Sequence, residues 1–150
     1  MPDPPGFATQ PGGFALRAGL VRAFGSTLLI PAWGRQEGAQ AETEYIFRSV
    51  DGGATWNYLV MGRSGPVNVT FVTLSRWLTL SNDGSGMETT NGGKTWHSYP
   101  NGYQNAAGVA STFVFGDPLV GYGTVRGGIS RTVDGGLHWT SIKTAGVYEP

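Results

Sequence analysis

No cysteine occurs in the 150 residues, which excludes disulfides, a thiol nucleophile and zinc sites built on thiolates. Charge is scarce as well: 13% of the residues are Asp, Glu, Lys or Arg, about half the ~25% usual in globular chains. Ten basic and ten acidic side chains cancel, so no basic field is present to hold nucleic acid or an anionic membrane. The longest uninterrupted apolar run, residues 28–33, falls far short of the ~20 residues of a spanning helix. The first turns of the chain carry no basic stretch followed by an apolar core, so no secretory signal is read there. No long stretch shows helical periodicity with caps. What the chain does carry is 25 Gly, 9 Pro, five Trp, six Tyr and seven Phe. Glycine and proline together are about twice their average share, and the aromatic content is too rich for a disordered chain. This is the composition of a soluble, turn-rich β domain of one folding unit.

A repeat organises the chain. Ser49-Val50-Asp51-Gly52-Gly53-Ala54-Thr55-Trp56 is followed by Thr89-Thr90-Asn91-Gly92-Gly93-Lys94-Thr95-Trp96 and by Thr132-Val133-Asp134-Gly135-Gly136-Leu137-His138-Trp139. The copies lie about 40 residues apart, the period of four short strands with their turns in one propeller blade. Asp51, Asn91 and Asp134 have short acceptor side chains suited to closing an Asx-type turn onto N–H groups two or three residues on. The paired glycines that follow tolerate the positive φ of a tight hairpin. Ser49, Thr89 and Thr132 can bond back across the loop, and Trp56, Trp96 and Trp139 open the next strand with the area needed to pack neighbouring sheets.

These octapeptides resemble the Asp-box, or bacterial neuraminidase repeat, whose pattern is S-x-D-x-G-x-T-W. The first copy matches every defined position. The second has Thr89 and Asn91 for Ser and Asp; the third has Thr132 for Ser and His138 for Thr. The resemblance implies a β-propeller with Ser49, Asp51, Gly53, Thr55, Trp56 and their counterparts, Gly93, Thr95 and Gly136 included, as structural turn residues on the outer rim. It implies an extracytoplasmic setting too.

Strand signals agree with that fold. Runs at 16–24, 27–33, 44–49 and 56–60 precede and follow the first repeat. A second group of four lies at 67–74, 77–81, 86–89 and 96–99, and a third at 109–115, 120–125, 128–132 and 139–143. Turn signals separate them, among them Asn82-Asp83-Gly84-Ser85-Gly86 and Arg126-Gly127-Gly128. The expected fold is all-β: a short N-terminal extension (1–14), then three propeller-like blades of four-stranded antiparallel sheet at about 15–60, 67–99 and 109–143. Propellers close with about four to eight blades. Three blades would leave two open aromatic faces, so either the chain is part of a longer propeller or it self-associates, most simply as a homodimeric six-bladed ring.

The first blade also looks like that of sialidases, in which a Phe-Arg-Ile-Pro motif and a later Gly-Arg provide arginines for the substrate carboxylate. Arg17 and Arg35 fall at those positions and become the candidate ligand-binding pair, because a planar guanidinium donates two parallel hydrogen bonds. Ala18-Gly19 departs from the motif. The segment 36–44 has no Asp to match the family's acid/base, leaving Glu37, Glu42 or Glu44 as substitutes. The nucleophilic Tyr, its Glu partner and two further Arg belong to later blades.

Other motifs carry less. His97 and His138 neighbour repeat tryptophans in different blades, without carboxylates at ligand spacing, so no metal is assigned. The Asn82–Gly86 loop lacks the remaining carboxylates of a calcium site and reads as a hairpin turn. Gly121-Tyr122-Gly123 precedes no helix, so no dinucleotide cofactor is assigned. Asn68-Val69-Thr70 fits the glycosylation sequon. The leading expectation is a non-catalytic propeller module that binds a glycan or a protein partner. The alternatives are a sialidase-like exo-glycosidase completed by assembly or further sequence, and a self-associating scaffold.

Overall fold

A computed structural model describes residues 2–4, 16–35, 41–64, 68–105 and 110–142, the side chains of 61–64 excepted. Glu37 and most of the N-terminal extension lie outside the described residues. Among the described residues thirteen strands form three antiparallel sheets, and there is no helix. The first sheet holds β1 (Arg17–Ala18), β2 (Arg22–Phe24), β3 (Thr27–Gly34), β4 (Thr43–Ser49) and β5 (Asn57–Ser64). The second holds β6 (Val69–Phe71), β7 (Trp77–Leu80), β8 (Gly86–Thr89) and β9 (His97–Ser98). The third holds β10 (Thr112–Phe115), β11 (Gly121–Val125), β12 (Gly128–Thr132) and β13 (Thr140–Ile142). The second and third are meanders with strands in chain order; in the first, β1 and β2 both pair with β3, and β4 and β5 follow in order. These are three propeller-like blades.

The expected first strand, 16–24, is broken in two. Ala18 faces Ala32, but Arg22 faces Leu29, so the pairing slips by one residue between them. That extra residue is a bulge. Pro31, opposite the break, has no N–H to give the ladder, although its carbonyl still accepts from Gly19 N–H at 2.8 Å. A Cβ on Gly19 would sit 2.6 Å from the Trp33 ring, so only glycine fits that close approach. The next two residues, Leu20 and Val21, are turned outward.

The sheets pack face to face in chain order. Leu29 and Ile46 of the first sheet bury against Val69, Phe71 and Trp77 of the second, with Trp96 on the margin. Val72, Leu78 and Leu80 of the second meet Phe115 of the third, with Trp139 on the margin. Ile30, Ala32, Tyr45 and Phe47 form another buried cluster, joined by Trp56. The repeat tryptophans thus hold equivalent places, each at the edge of one cluster.

The expectation of open apolar faces at both ends requires correction. In the first sheet Tyr45 and Phe47 are fully buried. In the third, Val114 and Tyr122 are exposed cross-strand neighbours, and Ile142 is exposed on the last strand. The two outer sheets thus differ in the apolar surface that their described residues expose.

Candidate binding groove

The repeat turns are built alike. Ser49 Oγ accepts from Gly53 N–H at 2.8 Å, Thr89 Oγ1 from Gly93 N–H at 3.0 Å and Thr132 Oγ1 from Gly136 N–H at 3.0 Å. Each hydroxyl donates to the acid or amide two residues on, Asp51, Asn91 or Asp134. The acceptor of the tight turn is therefore the hydroxyl. Asp51, Asn91 and Asp134 reach four residues on instead, accepting from the N–H of Thr55, Thr95 and His138 at 2.9–3.0 Å. His138 also takes over the bond of the usual Thr hydroxyl, its Nδ1 lying 2.6 Å from Asp134. Hydrogen bonds from the Thr55 hydroxyl, the Thr55 N–H and the Ser49 hydroxyl hold the Asp51 carboxyl far below the ordinary carboxylate range. At Asp134 partial burial opposes the shift, but bonds from His138 and Thr132 outweigh it and bring the carboxyl down to about 2.

Both histidines do have a carboxylate beside them, contrary to the reading of the sequence: Glu88 lies 2.8 Å from His97, and Asp134 adjoins His138. Among the described residues, no three His, Asp or Glu side chains gather in a group that could hold a metal. In the Asn82–Gly86 loop Asp83 accepts from the Ser85 N–H and hydroxyl, the bonding of a hairpin turn.

Arg17 and Arg35, the candidate ligand-binding pair, both stand on the surface. Arg17 donates to Glu42 at 2.6 Å, both side chains being exposed, and Arg35 is exposed beyond the end of β3. Glu44, the third acidic candidate, is fully buried. The arginines that do bridge sheets are others. Arg76 pairs with Glu88 at 2.6 Å and reaches the carbonyls of Pro118 and Gly135 in the third sheet. Arg22 donates through Nη2 to the Phe115 carbonyl, joining the first sheet to the third. Nothing about either residue's local sequence marks it, because each contact depends on a strand far along the chain.

Arg22 stands in a groove of about 370 Å³ where the first strands of all three sheets converge. One wall is Gly19 to Arg22 with Trp33. The floor is β6, and the other wall is β10. Its rim is apolar and wet: Leu20 is 79% exposed, and Val21 and Val114 are each 50% exposed. The bulge at Gly19 is what aims Leu20 and Val21 there. Arg22 is the one ionisable side chain of the lining. Its Nε is buried without a partner, and its guanidinium lies over the Phe24 ring, 5.4 Å from the centroid. An apolar slot with one cation suits an apolar ligand that carries an acceptor.

Fold and groove define an all-β, propeller-like protein with a central cleft. No family model matches the chain, and no curated protein matches it. Among solved structures it is similar to YCF48 bound to D1 peptide, at 19% identity and a TM-score of 0.44 over 74% of this chain and 36% of that one. YCF48 from Cyanidioschyzon merolae is similar at 18% identity and a TM-score of 0.43, over 87% of this chain and 45% of that one. The chain thus spans less than half the length of either.

Proposed function

We propose that the chain is a non-catalytic Asp-box propeller module that seats an extended apolar segment of a protein partner in the groove between the first and third sheets. The observation that carries this reading is Leu20, held out into solvent by a bulge beside Val21 and opposite Val114. Exposed aliphatic side chains gathered at a concave site mark an interaction surface. The occupant follows from complementarity: aliphatic rims take aliphatic side chains, and Arg22, with no carboxylate in the lining, takes a carboxylate on the same segment. A glycan fits less well, since stacking on a sugar needs an open ring face and Trp33 lies against Gly19. The sialidase-like alternative draws no support from Arg17, whose guanidinium already holds Glu42.

Selection from a random peptide library tests the proposal, followed by fluorescence anisotropy on an enriched peptide. Apolar sequences with an acidic group are expected. Leu20→Asp should weaken binding tenfold or more, about 1.4 kcal/mol, at an unchanged melting temperature. Equal binding by Leu20→Asp, or glycan-array binding without peptide enrichment, would sink the reading.

A second reading, self-association, is favoured by one observation: the exposed Val114, Tyr122 and Ile142 on the third sheet. With Tyr45 and Phe47 buried, this reading takes the form of third sheet against third sheet about a two-fold axis.

A further inference from the structure

We propose that Glu44 is a proton-sensitive latch between the first and second sheets that tunes the groove, an inference resting on the groove as the binding site. Glu44 is fully buried in β4. Its Oε1 accepts from the N–H of Val69, the first residue of β6, at 3.1 Å, while Oε2 is buried with no partner. Two of its neighbours are groove residues: Val69, which it holds, and Trp33, its cross-strand partner on β3. One carboxyl therefore pins the floor of the groove to its wall.

The surroundings decide how that pin responds to protons. Strand β6 brings no ionisable side chain to it. On β4 the neighbour is Tyr45, and Glu42 just before the strand is exposed and paired with Arg17. Past the end of β3 stands Arg35, exposed, and β5 carries Arg63. Uncharged, the carboxyl is compatible with a dry seam and keeps its carbonyl oxygen on Val69. Ionised, it holds a charge whose second oxygen has lost water and gained no donor, the costly case for a buried group. Burial accordingly raises this carboxyl from 4.5 to about 7, with the Val69 hydrogen bond partly opposing. Deprotonation relieves itself by admitting water, which parts β4 from β6 at Val69 and changes the groove.

The test needs no ligand for its first arm. Amide exchange at Val69, corrected for intrinsic rate, should lose tenfold or more of its protection between about pH 5.5 and about pH 8.5. Glu44→Gln, which keeps an acceptor and cannot ionise, should abolish that loss. Carbon-13 titration of Glu44 in the native chain should show a midpoint near pH 7 matched by the Val69 amide shift, whether or not the variant folds. Protection that is unchanged, or lost equally in Glu44→Gln, would overturn the latch, as would a midpoint near 4.5. In the second arm, a library-selected peptide should bind about tenfold more weakly at the higher pH in the native chain only. Binding that is lost in Leu20→Asp yet independent of pH would refute the latch and leave the groove reading standing. A pH-dependent Val69 with no peptide bound would do the reverse.

Discussion

In each repeat turn the buried hub is a hydroxyl, and the acidic residue stands outside it. Ser49, Thr89 and Thr132 are almost wholly inaccessible, and each satisfies a glycine N–H inside the turn. Ser49→Ala should therefore destabilise by about 1–3 kcal/mol, the cost of leaving such a donor unpaired, as urea unfolding would measure. Asp51 is exposed, and the second repeat already works with Asn91. Asp51→Asn should leave stability at neutral pH nearly unchanged, because Asn91 keeps the equivalent bond to Thr95 in the second repeat. What it should remove is an acid limb: a carboxyl depressed by folding contributes above its ordinary value and loses that contribution as pH falls through the folded one. Among the repeat glycines, Gly93 is the tightest. It has φ of 85°, and a Cβ there would lie 2.7 Å from the Trp77 ring and 2.9 Å from Val60. Gly93→Ala should cost about 2–4 kcal/mol by combining left-handed strain with overpacking.

Between elements, a few side chains carry what the strands cannot. Arg76 ties Glu88 and the hydroxyl of Tyr99 in the second sheet to Gly135 in the third repeat turn. Arg76→Ala should cost about 2 kcal/mol, the range for hydrogen bonds to a charged group, and Arg76→Lys should recover only part, since the planar fork serves several acceptors at once. Glu44 governs the opposite seam. A carboxyl raised by folding contributes fully below its unfolded value, 4.5, and that contribution is lost as pH rises through about 7. The melting temperature should thus decline from about pH 5 to about pH 8. Calorimetry on Glu44→Gln should show a flatter profile over that interval; an equal decline in the variant would assign it to other groups.

At the scale of the whole molecule the open question is which surface meets another chain. The third sheet exposes Val114, Tyr122 and Ile142 beside Arg131. If self-association uses that face, light scattering should give twice 15.9 kDa for the native chain. Tyr122→Lys with Ile142→Lys should return it to one. A native mass of one chain, or a dimer indifferent to both lysines, would exclude the third-sheet contact.

The turns and the meanders were legible in the sequence because their physics is local. A hydroxyl, an acid or amide two residues on and paired glycines close onto themselves within eight residues, and the strands between such turns have nowhere to pair but with each other. What His138 does was not legible: it stands where Thr belongs, and only the folded turn shows its ring making the same bond to Asp134. The groove was not legible, because it depends on approaches between distant strands. Arg17, singled out by its motif, is spent on Glu42. Arg22, five residues later and marked by nothing, faces Phe115 across 93 residues of chain. Glu44 read as one of three substitutes for an acid/base; 25 residues on, Val69 brings the second sheet over it and leaves it buried. Local hydrogen bonding thus determined the blades, whereas the packing of one blade on the next decided which charges were buried, which were paired and which were left facing the cleft.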